Sequence, residues 1–283
     1  MADEFTEGHY VLGIEGLALL RAGATRRRDG IEHRARELAT VASRLDREPY
    51  SAARVLPEQS PAAGYAGWAG SYDQPGNDTI AIEEPVVRSL LNDLPPGPVL
   101  DAACGTGRHA AYLLERGREV VGVDSSPEML ERARARLPQA DLRAGSVESL
   151  PLADGSAGAA VCALALSHLP EIGTAVAELA RVLAVGGRLV ISNPHPFVTA
   201  VLGWRAVYVA ADGTRTMIPE YPHMPGEYVR AFGAAGLTVR RCLEPSLSPE
   251  QARARAKAGH EDAFAQALTG VPAVIVWEAE KGR

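Results

Sequence analysis

The sequence predicts an α/β fold: a doubly wound, mostly parallel sheet with an N-terminal helical segment. Three observations carry this. From about residue 80, short apolar runs alternate with amphipathic stripes of helical period. The run Ala159–Leu164 is apolar throughout, as a central strand buried on both faces requires. The stretch "VLDAACGTGRHAAYLLERG" sets a strand end, a glycine turn and a helix start in succession.

The elements follow in order. Tyr10–Leu20 and Ile31–Leu45 read as helices, and "EPYSAARVLPEQSPAAG" as a linker, giving a helical segment over 1–60. Tyr65, Trp68 and Tyr72 fall at i, i+3 and i+7, an aromatic stripe on one helix. Pro98–Leu100 ends the first strand, and Ala110, Leu113, Leu114 and Gly117 share the face of the helix after the loop. Glu119–Val123 is the second strand, ending in Asp124. Ser126-Pro127 is a helix start, and that helix stops before Pro138. Asp141–Ala144 is a weaker third strand and Ala159–Leu164 the fourth. Ile172, Val176, Leu179 and Leu183 form one helix face, Gly186-Gly187 caps that helix, and Arg188–Ser192 is the fifth strand.

The tail differs. Residues 193–226 are polar and aromatic, with a hairpin turning at Asp212-Gly213, and form a substrate-side insertion. A helix covers Glu227–Ala235, and Leu237–Leu243 and Ala273–Glu278 are two more strands, the last antiparallel. Between them lies one helical segment, Pro249–Leu268, opened by a Ser248-to-Gln251 capping box. The core thus spans 61–283, with five parallel strands and a two-strand tail making seven.

Composition narrows the function. The chain has 283 residues and a formal net charge of −6, which argues against a nucleic-acid or anionic-membrane surface. Arg26-Arg27-Arg28 is too short to reverse that and reads as a solvated face. No stretch approaches the roughly 18 apolar residues of a membrane span. The acidic start "MADEFTEGHY" is unlike a signal peptide. Cys104, Cys162 and Cys242 lack zinc or redox spacing and read as buried thiols in a reducing cytoplasm.

The glycine loop decides between ligands. Gly105, Gly107 and Ala110 have dinucleotide-fingerprint spacing. Asp101, however, puts a carboxylate before the turn, where it repels a pyrophosphate and favours an ammonium. Asp124 suits the hydroxyls of a ribose. S-adenosylmethionine carries both an ammonium and a ribose.

The blocks "VLDAACGTGRH", "VVGVDSSPEML", "GSVESLPLADGS" and "LARVLAVGGRLVIS" together resemble class I S-adenosylmethionine-dependent methyltransferases, with their Rossmann-like sheet, over about 61–283. Ala103 stands where the family's first motif has glycine. The resemblance implies that Asp101 and the backbone of Ala103 and Gly105 hold the methionine part of the cofactor. Asp124 would hold the ribose, and Ser125 and Met129 would flank the adenine. Ser146 replaces the usual acid facing the adenine amino group, and the Val147 N–H would meet a ring nitrogen. Leu164 and Ala165 would line the methyl end, and Tyr72, in "YAGWAGSYD", would close over the cofactor, with Trp68 either beside it or in the core. Tyr65 reads as core.

Methyl transfer from a sulfonium needs alignment first, and a base only where the acceptor must lose a proton. His168, His195 and His223 fall at strand ends that open on the site, with His195 and His223 favoured on the substrate side; His109 belongs to the helix after the loop. Their spacing is not that of a metal site. Phe197, Val198, Trp204, Tyr208 and Tyr221 imply a small, partly hydrophobic organic acceptor and no nucleic acid. The N-terminal helices are a lid or a homodimer contact. The competing readings are an NAD-dependent oxidoreductase using the same loop, and a non-methylating member of the fold.

Overall fold

The computed structural model describes residues 5–24, 28–54, 56–74, 77–210, 212–256 and 259–282. Arg26 and Arg27 of the basic run, the first four residues of the acidic start and Ala211 of the hairpin lie outside the described residues. The chain forms two compact units, 1–57 with 246–271, and 58–245 with 272–283. In one respect this departs from a boundary at residue 60: the segment after Pro245 belongs with the N-terminal helices.

The first unit is helical. It comprises α1 (Glu7–Ala24), α2 (Arg28–Ala42) and, from the tail, α10 (Pro249–Ala254) and α11 (Glu261–Leu268). The single helical segment expected over Pro249–Leu268 is therefore two helices, the first opened by the expected capping box: Gln251 N–H donates to Ser248 Oγ at 3.1 Å, and Ser248 N–H to Gln251 Oε1 at 2.9 Å. Polar side chains join these helices from within. Arg34 pairs with Glu15 at 3.1 Å, and His260 sits between Glu15 Oε1 at 3.1 Å and the Tyr50 hydroxyl at 3.0 Å. Arg21 Nη1 donates to the Ala267 carbonyl at 2.7 Å. Such buried charges are retained because each has a partner.

The second unit holds the sheet. In chain order it contains α3 (Pro61–Trp68), α4 (Asp78–Leu91), β1 (Val99–Ala102), α5 (Arg108–Leu114), β2 (Val120–Asp124), α6 (Pro127–Arg136), β3 (Asp141–Ala144), β4 (Ala157–Ala163), α7 (Gly173–Val182), β5 (Leu183–Pro194), α8 (Pro196–Ala200), β6 (Ala206–Val209), β7 (Arg215–Ile218), α9 (Pro225–Ala234), β8 (Leu237–Leu243) and β9 (Val274–Lys281). Seven strands lie in the order β3-β2-β1-β4-β5-β9-β8. The first five pair in parallel, and β9 runs antiparallel to both β5 and β8. Strand order reverses between β1 and β4, which opens a crevice at the carboxyl ends of those strands. A separate antiparallel hairpin pairs β6 with β7.

Several expectations are corrected. The aromatic stripe is not on one helix: α3 ends at Trp68, and Tyr72 follows in turns. The three rings still cluster, with Tyr65 stacked on Trp68 at 6.0 Å and Tyr72 edge-on to Trp68 at 5.1 Å. Gly186-Gly187 does not cap α7, which stops at Val182. The pair instead lies within β5, where the register with β4 shifts, and a Cβ on Gly187 would come within 2.8 Å of the Ala184 carbonyl oxygen. Helix α4 was not expected, because its apolar face is interrupted by the charged pair Glu83-Glu84 and by Pro85. Cys104 and Cys162 are buried, but Cys242 is exposed because β8 is an edge strand. Opposite that edge, Tyr228 and Phe232 of α9 pack on Trp277 of β9 at ring distances of 5.6 and 5.7 Å.

Candidate active site

The loop after β1 is fixed by two carboxylates, and neither is spare. Asp101 is 2% exposed, and its Oδ2 accepts the Ala110 N–H at 2.8 Å. Asp124 Oδ2 accepts the Gly105 N–H at 2.7 Å, and its Oδ1 the Ser126 N–H at 2.8 Å. The tip of β2 is thereby tied to the glycine turn, and the start of α6 to the tip. Each carboxylate oxygen has more than one acceptor site, so Asp124 can still receive ligand hydroxyls. Burial pushes the Asp124 carboxyl up, opposed by the N–H donors of Ser126, Gly105 and Ser125. Burial also pushes Asp101 up to about 6, against the pull of His109, the Ala110 N–H and Arg108.

The turn requires a left-handed backbone. Gly105 has φ +55° and Ala103 φ +53°. Alanine at the second position bears a steric cost of about 1–2 kcal/mol that glycine would not. Leu164, just past β4, has φ +54°. Non-glycine residues in this region are uncommon. Both strands that flank the switch point therefore end in one.

These strand ends line a cleft. Its walls include Ala103 and Gly105 from the loop, Asp124, Ser125, Ser126 and Met129 from the β2–α6 connection, and Ser146 and Val147 after β3. Leu164, Ala165 and His168 follow β4, and Pro61, Ala62, Tyr65 and Tyr72 come from α3 and the turns after it. Tyr72 is held there by its neighbour. Asp73 accepts from Thr106 Oγ1 at 3.0 Å and pairs with Arg136 at 2.7 Å, which pins the turns to the glycine loop and to the end of α6. Burial pushes the Tyr72 phenol up to about 12. It is a neutral wall.

Of the residues expected to hold a cofactor, all but Asp101 line this one cleft. Asp101 lies beneath the loop and acts on it through the Ala110 N–H, so its expected direct contact with a ligand is not part of the observed lining. The histidines divide. His168 lines the cleft; His195 and His223 do not. His195 is the N-cap of α8: its Nδ1 accepts the Phe197 N–H at 3.1 Å, so Nε2 carries the proton toward Glu244 Oε1 at 2.9 Å. His223 Nε2 donates to the Leu169 carbonyl at 2.8 Å. Both are occupied in holding loops together.

Two residues that sequence reasoning passed over matter here. Tyr65, read as core, lines the cleft and places its hydroxyl 2.7 Å from His168 Nε2. Glu83 of α4 is fully buried beside the loop helix, where it meets His109 Nε2 at 3.2 Å, Ser192 Oγ at 2.8 Å and Arg108 at 2.9 Å. Burial pushes Glu83 up, but the hydrogen bonds from His109 and Ser192 and the charges of His109 and Arg108 bring it down to about 2. A charged glutamate in an amphipathic helix gives no sign of this role, whereas "GRH" after the glycines could have prompted a search for a buried acid.

The chemistry of the cleft fits S-adenosylmethionine. A carboxylate at a strand tip suits paired hydroxyls, and Met129, Val147 and Leu164 give apolar walls for an aromatic base and a thioether chain. The left-handed turn exposes backbone to the remaining polar groups.

Known proteins resemble this chain in sequence and in fold. A methyltransferase-domain family profile matches residues 100–191. An uncharacterized methyltransferase of Mycobacterium tuberculosis is 47% identical over 91 residues, 32% of this chain and 37% of that protein. Demethylmenaquinone methyltransferase of Renibacterium salmoninarum is 31% identical over 158 residues, 54% of this chain and 62% of that protein. The chain therefore spans less than two thirds of the length of each of these curated relatives. The crystal structure of an S-adenosylmethionine-dependent methyltransferase from Mesorhizobium loti superposes with a TM-score of 0.55 at 22% identity, covering 71% of this chain and 98% of that one. No helix among the described residues is long and apolar enough to cross a membrane. Residues 100–191 thus match a methyltransferase domain, and the sheet has the fold of S-adenosylmethionine-dependent methyltransferases.

Proposed function

We propose that this protein transfers the methyl group of S-adenosylmethionine to a nucleophile on a small, partly hydrophobic organic acceptor. The observation that carries the reading is the cleft at the ends of β1, β2 and β4, which Tyr72 lines and where Asp124 meets the glycine turn. When bound, the cofactor supplies an electrophilic methyl on a positively charged sulfur.

The chain's own residues position and enclose. Asp124 accepts from the ribose hydroxyls while its remaining acceptor sites hold the turn. Met129 and Val147 would flank the base, and the Ser146 hydroxyl would offer it one acceptor. Tyr72, pinned through Asp73, keeps water from the methyl end. Leu164 and Ala165 would shape the approach of the acceptor to the methyl. Holding reactants in line is worth up to roughly 7–11 kcal/mol. The apolar walls and the name of the Renibacterium relative support an acceptor with an apolar body.

Calorimetry with S-adenosylhomocysteine and with NAD separates the main alternative. Binding of the first and not the second is expected; NAD binding with no response to S-adenosylhomocysteine overturns the proposal. Bound cofactor with no labelled methyl passing to any organic acceptor would favour a non-methylating member of the fold.

A further inference from the structure

We propose that the Tyr65 hydroxyl, backed by His168, takes the proton of the acceptor, and that the acceptor's nucleophile is a weakly acidic O–H such as a phenol or enol. The inference rests on the methyl-transfer reading and adds a catalytic residue and an acceptor class to it.

The geometry sets the direction of each proton. His168 Nδ1 lies 2.8 Å from the Pro219 carbonyl. A carbonyl only accepts, so Nδ1 carries the hydrogen, and a neutral ring then has its lone pair on Nε2. The Tyr65 hydroxyl, 2.7 Å from that Nε2, must donate to it. Burial pushes the His168 imidazolium down, only partly opposed by the Pro219 carbonyl, so the ring rests neutral. Burial, then Tyr72, Glu220 and Asp124, push the Tyr65 phenol up, so it rests protonated. With His168, these groups face Tyr65 from the turns after α3, the end of the hairpin and the tip of β2. The phenol oxygen keeps its lone pairs for a donor arriving in the cleft.

The pair is rigid. Tyr65 is stacked on Trp68, edge-on to Tyr72 at 6.0 Å and edge-on to His168 at 5.2 Å. Trp68 in turn stacks on Tyr208 of the hairpin at 5.6 Å. Four aromatic rings from α3, the turns after it and the hairpin thus hold Tyr65 among the residues of the cleft that Leu164 and Ala165 also line.

The step balances as follows. The acceptor's O–H proton passes to Tyr65 Oη while the Tyr65 proton passes to His168 Nε2. The electron pair of the broken O–H bond stays on the acceptor oxygen and forms the new O–CH₃ bond. The pair of the broken S–C bond stays on sulfur, which becomes neutral, and the positive charge ends on the His168 ring. That ring later returns its proton to solvent. A carboxylate brings no proton for such a relay at neutral pH, and an aliphatic alcohol is too weak an acid for a histidine held below its usual range. A phenol, with a pKa near about 10, is within reach.

Two measurements test this on the full chain. In the S-adenosylhomocysteine complex, ¹⁵N NMR should show His168 neutral with Nδ1 protonated, and Tyr65→Phe should move the Nε2 resonance. The Nε2-protonated tautomer, or an unmoved resonance, overturns the pair. Labelled methyl from S-adenosylmethionine should then pass to simple phenols and not to carboxylates. Tyr65→Phe and His168→Asn should lower that turnover by about 10²-fold or more, with S-adenosylhomocysteine affinity and unfolding midpoint kept. The acidic limb of the pH–rate profile should vanish in both variants. Label on carboxylates, label on neither class, or phenol turnover unchanged in Tyr65→Phe overturns the proposal. Loss of S-adenosylhomocysteine binding in the unsubstituted chain instead strikes the cofactor reading itself.

Discussion

The loops after β1 and after β4 both end a central strand in a left-handed residue, Ala103 and Leu164, yet they are built differently. The first is a local device. Asp101, Gly105, Ala110 and Asp124 satisfy one another across a single β-α-β stretch, and the bonds run from side-chain carboxylates to backbone N–H groups. The second is assembled from afar. His168 meets Tyr65 of α3 and the Pro219 carbonyl, residues separated from it by long stretches of chain. A site that must bind one fixed cofactor can be written in a short motif. A site that must fit a particular acceptor draws on segments that vary independently of the sheet.

The comparison breaks most sharply at the support under the first loop. Glu83→Ala should leave Arg108 without its buried partner and cost about 3–5 kcal/mol in urea unfolding. Because Glu83 is held down at about 2 from an ordinary 4.5, its contribution is fully present above pH 4.5 and is lost as pH falls toward 2. Unsubstituted protein should therefore lose stability over that window more steeply than the Glu83→Ala variant; parallel curves would refute the assignment.

Asp124→Ala should weaken S-adenosylhomocysteine binding by about 1–3 kcal/mol, since it removes charged acceptors from ligand and loop together. Unchanged affinity by calorimetry would mean that the ribose is held elsewhere.

Asp101→Asn separates charge from loop bracing. The folded-state pKa of Asp101 is raised to about 6 from 3.8, so the carboxylate burdens the fold above pH 6 and not below 3.8. The amide keeps an acceptor for the Ala110 N–H. The variant should gain about 1–2 kcal/mol of stability above pH 6 and match the unsubstituted protein near pH 4. If cofactor affinity falls with that gain, the charge of Asp101 reaches the ligand's ammonium as well as the loop.

His195→Ala should cost about 1 kcal/mol, as the loss of an N-cap does, and leave methyl transfer unchanged. A fall in turnover at constant stability would return His195 to the acceptor side. The smallest effect is expected at Ala103. Ala103→Gly should stabilise by up to about 1 kcal/mol by relieving the left-handed alanine, against the entropy glycine adds to the unfolded chain. A clear loss of stability would show that the Cβ packs usefully.

What is periodic or contiguous is legible in the chain. Strand–helix alternation specified the parallel sheet, and Asp101, the two glycines and Asp124 specified the turn after β1, because their partners lie within one supersecondary unit. Ser126-Pro127 and the Ser248 capping box were legible for the same reason: each bond closes within three residues. Which histidine faces the cleft depends on long-range packing. His168, His195 and His223 all follow or precede strand ends, and their roles differ through Pro219, Glu244 and Leu169, contacts 49–54 residues away. The same packing decided that Tyr65 is a wall of the site, that Glu83 supports the loop helix and that residues 246–271 join the N-terminal helices. Local hydrogen bonds and hydrophobic period are encoded where they act, whereas long-range partners are fixed only once burial has brought distant segments together.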